Sequence, residues 1–205
     1  MPPTTNDLLL YLNYAGCFVF ALSGGAVAVR HQMDLFGVVV IGLITAVGGG
    51  TLRDVLLNLP VFWLTDSSNL IPPLLGSLCA FTLGSNLPRK RIMLWADALG
   101  LAVFAVLGCV SALKAGSTPI IAIVMGTITA CAGGLIRDIV CNETPLLLKD
   151  EIYATAALLG SAIYVTSLNW PPVIEFAAPL GIATAFTARL IAIQWHITLP
   201  KSSKT

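Results

Sequence analysis

Thr45-Ala-Val-Gly-Gly-Gly-Thr-Leu-Arg-Asp-Val-Leu-Leu-Asn58 returns as Thr129-Ala-Cys-Ala-Gly-Gly-Leu-Ile-Arg-Asp-Ile-Val-Cys-Asn142. Arg137 stands 84 positions after Arg53, and seven of the fourteen positions are identical. The same offset pairs Gly16 with Gly100, Phe20 with Phe104, Ala21 with Ala105, Gly24 with Gly108, Gly42 with Gly126, and Leu74-Leu75-Gly76-Ser77 with Leu158-Leu159-Gly160-Ser161. Apolar helices share scattered Leu, Ala and Gly by chance, but chance does not also set two Gly-Gly-x-x-Arg-Asp strings in register. The chain reads as a duplicated unit.

Of the 205 residues, 57% are hydrophobic and 10% charged, with a mean hydropathy of +0.89. A soluble domain carries about 25% charged residues, so too few charges are present to cover a water-facing surface, and bilayer is the natural solvent. A spanning helix needs about 20 mostly apolar residues. Cut at its polar and turn-rich joints, the chain gives seven such segments: Leu8 to Val29, Leu35 to Asn58, Asn69 to Asn86, Ile92 to Leu113, Thr118 to Cys141, Ile152 to Leu168 and Val173 to Ile197. The expectation is an all-α integral membrane protein, one transmembrane domain over 1–205, with a three-helix repeat at 8–86, a second at 92–168 and a seventh helix at 173–197. Because each unit has an odd number of spans, the second enters the membrane upside down, and a pseudo-two-fold axis in the membrane plane relates the halves.

Alternate joints fall on opposite sides of the membrane. One side holds Arg30, Arg89, Lys90, Arg91, Lys149, Lys201 and Lys204; the other holds Lys114 with Asp7, Asp66 and Glu175. The positive-inside rule then puts the N-terminus outside and the C-terminus in the cytoplasm, in the cell (inner) membrane. Met1 to Asp7 has no Lys or Arg and so lacks the basic region of a secretory signal; the first apolar segment is expected to remain as a span. Asn142-Glu143-Thr144 fits a glycosylation acceptor but falls on the cytoplasmic side, and is discounted.

The net charge of +1, with Arg89-Lys90-Arg91 as the longest basic run, leaves no footprint for nucleic acid. Cys17, Cys79, Cys109, Cys131 and Cys141 are scattered through apolar segments without CxxC spacing, as packing residues would be. His31 and His196 lie far apart and join no metal-ligand pattern; neither a metal nor a cofactor is expected.

The chemistry concentrates in the repeated motif. Gly48, Gly49, Gly50, Gly133 and Gly134 fall near mid-span, where each costs about 1 kcal/mol of helix propensity relative to Ala. Such runs invite a bend or a break, tolerated in a bilayer where the backbone is buried in protein or lines a wet cavity. Close helix packing is the other use of membrane glycines. Arg53 and Arg137 each follow the last glycine by three residues, about 4.5 Å along the axis, and so lie within the membrane in opposite leaflets. An Arg or Asp at a helix centre costs about 2.5–3.5 kcal/mol against lipid, so these groups must face protein or water. Adjacent residues on a helix point about 100° apart, so the spacing does not imply that Arg53 pairs with Asp54. Asp97, aligned with Asn13, is a candidate partner for an arginine. Two readings follow for Arg53, Asp54, Arg137 and Asp138: a buried ion-pair network locking the bundle, or charges that line or gate a pathway. Ala21 with Gly25, Gly24 with Ala28, and Gly108 with Ala112 have small-xxx-small spacing for close helix contact. The hydroxyls of Ser23, Thr45, Thr51, Thr127 and Thr129 could meet a permeant species or bond their own helix backbone.

The Gly-Gly-Gly-x-x-Arg-Asp string at Gly48 to Asp54, its echo at Gly133 to Asp138 and the three-plus-three-plus-one layout resemble the prokaryotic trimeric intracellular cation channels, a domain also catalogued as a glycine transporter. The resemblance covers essentially the whole chain. It implies a homotrimer with an hourglass pore in every subunit, bent at Gly48, Gly49, Gly50, Gly133 and Gly134, with Arg53, Asp54, Arg137 and Asp138 as pore charges, permeable to monovalent cations and chiefly potassium. The second copy departs from the pattern with Ala132 in place of a first glycine, which would stiffen its hinge, and no lysine-rich segment like that of the animal members stands beside either arginine.

A passive cation channel is the leading expectation, with Asp97, Thr51, Thr129, Asp54 and Asp138 offering oxygen near the pathway; no TVGYG-like filter is present. The alternative is a secondary carrier for a small zwitterion such as glycine, whose two charges suit paired Arg and Asp. No nucleophile elbow, metal cluster or phosphate loop supports an enzyme.

Overall fold

The structure, a computed structural model, describes residues 5–84, 89–148, 152–195 and 197, with side chains undescribed at 5–7 and 89–92. Lys149, His196, Lys201 and Lys204 lie outside the described residues, as does the end of the third expected span beyond Gly84. Among the described residues the long elements are helices: α1 (Thr5–Arg30), α2 (Leu35–Leu56), α3 (Ile71–Leu83), α4 (Arg89–Lys114), α5 (Pro119–Val140), α6 (Ala154–Ser167) and α7 (Ala177–Trp195).

Local chemistry sets the ends. Asp34 caps α2 by accepting a hydrogen bond from the Gly37 amide at 2.8 Å, and Thr118 caps α5 just before Pro119, a residue suited to a first helical position. Both motif helices finish on asparagine: Asn58 and Asn142 share φ 53°, a left-handed conformation that Asn tolerates better than most residues. The chain then turns back, so that the Leu59 amide bonds the Asp54 carbonyl and the Glu143 amide bonds the Asp138 carbonyl, each at 2.8 Å. This explains why the repeated motif ends on Asn.

Among the described residues, five helices are long and apolar enough to cross a bilayer. The third and sixth expected spans are shorter than the sequence suggested: α3 has 13 residues and α6 has 14, about 20 Å at 1.5 Å per residue. Asn69 is spent on a 3-10 turn, Ser67–Leu70, where its side-chain amide bonds the Asp66 carbonyl. Pro72 and Pro73 then open α3. Ile152 and Tyr153 likewise precede the first turn of α6.

The inverted relation is visible in reciprocal contacts. A methyl on Gly49 would stand 2.1 Å from the Thr129 carbonyl oxygen, and one on Gly133 would stand 2.1 Å from that of Thr45. Gly16 faces the Phe104 ring as Gly100 faces that of Phe20, and the two rings meet at 5.2 Å. Pairs in which residue i of one copy meets j of the other, and j of the first meets i of the second, are the signature of a two-fold axis. That axis passes between α2 and α5 and between the phenylalanines. Within each copy the stripe glycines pack as expected, Gly24 on Thr45 and Gly108 on Thr129, and Gly42 meets Ser77 as Gly126 meets Ser161. The unpaired α7 covers one side of the second copy, with Gly160 seated on Ala185 and Gly181 on Tyr164 and Val106. Four of the five cysteines are buried, in keeping with packing roles.

Neither motif helix is broken. α2 and α5 are continuous α-helix through their glycines, so of the expected bend or break the break is not formed, and the glycines serve a close crossing. Each glycine has a neighbour where a side chain would go: Gly48 meets the Ile136 methyl, Gly50 the Phe62 ring, and Gly134 the Tyr153 hydroxyl.

Candidate functional site

Both arginines pair with the aspartate that follows them, a pairing the sequence did not imply. Arg53 Nε and Arg137 Nε each donate to the neighbouring Asp Oδ1 at 2.8 Å. The long, jointed arginine side chain is what spans the roughly 100° between adjacent helical positions. The other carboxylate oxygen holds the returning loop, Asp54 Oδ2 accepting from the Phe62 amide and Asp138 Oδ2 from the Leu146 amide, both at 2.9 Å. Asp54 and Asp138 are therefore buried and use both oxygens on their own chain, so they are staples between helix end and loop rather than open ligands for an ion. The threonines are committed too. Thr51 Oγ1 donates to the Val47 carbonyl and accepts from Trp63 Nε1, and Thr129 Oγ1 donates to the Met125 carbonyl.

Beyond this shared frame the copies diverge. At Arg137, Nη1 donates to Asp97 Oδ1 at 2.7 Å and to Ser23 Oγ at 2.9 Å, so Asp97 is the arginine partner that its position suggested. Arg137 is 0% exposed and Asp97 1%. The offset of 84 puts Asn13 where Asp97 stands, Asn69 where Tyr153 stands and Leu107 where Ser23 stands. Asn13 instead donates its amide to Asn69 Oδ1 at 2.8 Å. Arg53, 7% exposed, lies with its guanidinium carbon 5.8 Å from the Phe62 ring centre. It lines a cavity of about 280 Å³ together with Asn13, Asn69, Leu107, Ser111 and Lys114.

The mouths differ in the same sense. Lys114 corresponds to Arg30, and Leu59 to Glu143. At the second copy's end Arg30 donates to Glu143 Oε1, and His31 Nε2 lies 2.6 Å from the same oxygen. Burial works against this carboxylate, but the hydrogen bonds from Arg30 and His31 outweigh it and hold Glu143 below its ordinary pKa. No carboxylate faces Lys114 among the residues lining the first cavity. Among the described residues, a cavity at one end of the bundle thus reaches Arg53, while at the other end Arg137 is buried in ion pairs and a second cluster joins Arg30, His31 and Glu143.

The sequence model of the glycine transporter family matches this chain twice, over residues 10–85 and 94–169, and these two stretches are themselves 84 positions apart. The chain belongs to the glycine transporter family. A curated relative, the UPF0126 inner membrane protein YadS of Escherichia coli K12, is 41% identical over 199 residues, covering 94% of this chain and 95% of that protein. Among solved structures, the trimeric intracellular cation channel orthologue from Rhodobacter sphaeroides superposes with a TM-score of 0.89 at 40% identity, over 93% of this chain and 99% of that one. A prokaryotic channel of the same kind, crystallised in 0.5 M KCl, gives 0.88 at 33% identity over 95% and 100%. This family member is a homologue of cation channels and not an enzyme.

Two residues of the site escaped the sequence reading. Tyr153, fully buried, closes over Gly134. A methyl on that glycine would stand 2.8 Å from the hydroxyl, 3.4 Å from Arg137 Nη2 and 3.5 Å from Asp97 Oδ1. Arg189 of α7, 1% exposed, stacks 5.1 Å from the Tyr153 ring centre and donates to the Ile152 carbonyl at 3.2 Å. The rule that an intramembrane charge is suspect would have found Arg189 in the seventh span.

Proposed function

We propose that this protein is a homotrimeric channel of the cell (inner) membrane in which each subunit conducts monovalent cations, chiefly potassium, along the crossing of α2 and α5. The observation that carries the reading is the pair of inverted, arginine-centred halves, with a polar cavity that reaches Arg53 from one end. Inverted repeats of this kind place their pathway at the repeat interface near mid-membrane. Support for the ion and the assembly comes from the relatives, described as a trimeric intracellular cation channel and as a channel in 0.5 M KCl; the membrane is that of YadS. The N-terminus lies outside and the C-terminus inside, as the loop charges require, so the open cavity faces outward and the shut end faces the cytoplasm. Arg53 lines the outer mouth, and Arg137 with Asp97 closes the inner one. The glycine run lets α2 and α5 touch, and any bending in a conducting state pivots about that crossing.

A second reading, a carrier for a small zwitterion such as glycine, is favoured by the name of the family. Flux measurements on reconstituted protein decide between roles for the arginines. Arg53→Ala and Arg137→Ala variants that still assemble are expected to change cation flux. If both conduct as the parent does, the pathway does not run past these residues.

A further inference from the structure

The second copy shows what the free edge of this arginine binds: Arg137 Nη1 takes a carboxylate oxygen from Asp97 at 2.7 Å and a hydroxyl from Ser23 at 2.9 Å. In the first copy Asp54 holds Arg53 through Nε, as Asp138 holds Arg137, and through Nη2 as well, but the carboxylate has become Asn13 and the hydroxyl Leu107. Among the described residues Arg53 Nη1 has no hydrogen-bond partner, and a cavity of about 280 Å³ stands beside the side chain. We propose that this cavity binds a small monocarboxylate, whose oxygens occupy at Arg53 the place that the Asp97 carboxylate occupies at Arg137.

The lining suits an anion. Lys114 adds a second cation at the mouth. Ser111 is a neutral donor, along with the second N–H of each of the Asn13 and Asn69 amides, whose first N–H groups bond Asn69 Oδ1 and the Asp66 carbonyl respectively. No Asp or Glu is among the lining residues, so an ammonium group would find no charged partner. That disfavours a zwitterion relative to a simple carboxylate such as formate or acetate. Arginine meets a carboxylate through short, charge-assisted bonds, stronger than those between neutral groups. Asp54 already neutralises Arg53, so the net charge that attracts the ligand comes from Lys114. The proposal takes this cavity to be the outer mouth of the passage, as above, but its test reads binding rather than current, so either can fail alone.

The test is acetate binding to the assembled protein in lipid nanodiscs, followed by saturation-transfer NMR with methylammonium and glycine as competitors. The parent is expected to bind acetate saturably, with methylammonium unable to displace it. Asn13→Asp supplies the carboxylate internally and is expected to weaken acetate at least about tenfold, equivalent to some 1.4 kcal/mol. Lys114→Gln, at an exposed helix end where folding is not at stake, is expected to weaken it severalfold. Equal acetate affinity in the parent and in Lys114→Gln, displacement by methylammonium, glycine binding tighter than acetate, or no saturable acetate signal in the parent would each overturn the assignment.

Discussion

At the scale of single residues, the copies share one arginine but give it different surroundings. Arg137 lies between two buried carboxylates, Asp97 and Asp138, and removing one partner of a buried ion pair typically costs about 3–5 kcal/mol because an uncompensated charge remains. Arg137→Ala is predicted to lose stability in that range, and Arg53→Ala distinctly less, since Arg53 leaves one carboxylate behind and sits beside a cavity; thermal unfolding of the purified assembly compares them. Glu143 gives a pH prediction. Its folded-state pKa is lowered, so its contact with Arg30 and His31 stabilises fully above the ordinary glutamate value of about 4.3 and is lost as pH falls through the lower folded value. Hydrogen exchange at residues 141–146 is predicted to accelerate along that acid limb in the parent, and to be fast with no such limb in Glu143→Gln. Sequence alone located Arg53, Arg137 and the Asp97 partner, because charge in an apolar run is conspicuous. It could not show that Asp54 and Asp138 spend both oxygens on their own neighbourhood, since that depends on a left-handed Asn four residues later drawing the loop back.

At the scale of elements, the glycines divide by what each one meets. Gly49 and Gly133 abut backbone carbonyl oxygens across the crossing, and a carbonyl cannot swing aside as a side chain can. Gly49→Ala and Gly133→Ala are each predicted to destabilise by about 1–3 kcal/mol or more, and by similar amounts because the contacts are reciprocal. Gly48→Ala is predicted to be mild, since its methyl would press on the flexible end of Ile136 at 3.1 Å and make an ordinary contact with the Gly133 Cα at 3.8 Å, and the other copy already carries Ala132 there. Unfolding midpoints of the three variants test the division. The two glycine runs were legible as special positions, but their use was not. Intrinsic propensity suggested interruption, whereas packing of α2 on α5 keeps both helices continuous. Among the described residues the spans were placed within about four residues, and in α3 and α6 Asn69 and Tyr153 serve a turn and the site instead of extending the helix.

At the scale of the whole molecule, a single offset of 84 positions carried the fold, because an odd number of helices per copy forces inversion and the crossing then has to be self-complementary. What the offset hides is the asymmetry. Asn13 for Asp97, Leu107 for Ser23 and Leu59 for Glu143 look like ordinary drift in an alignment, yet together they leave Arg53 beside a cavity and Arg137 in a buried ion-pair cluster. Arg189 has no echo because the seventh helix lies outside the repeat. The central claim, that a cation passage runs through this asymmetric pair of halves, is tested most directly by planar-bilayer recording of the purified protein under a potassium chloride gradient. Unitary current steps reversing near the potassium equilibrium potential are predicted. Reversal toward the chloride potential, or an absence of steps with saturable glycine exchange in their place, would contradict it.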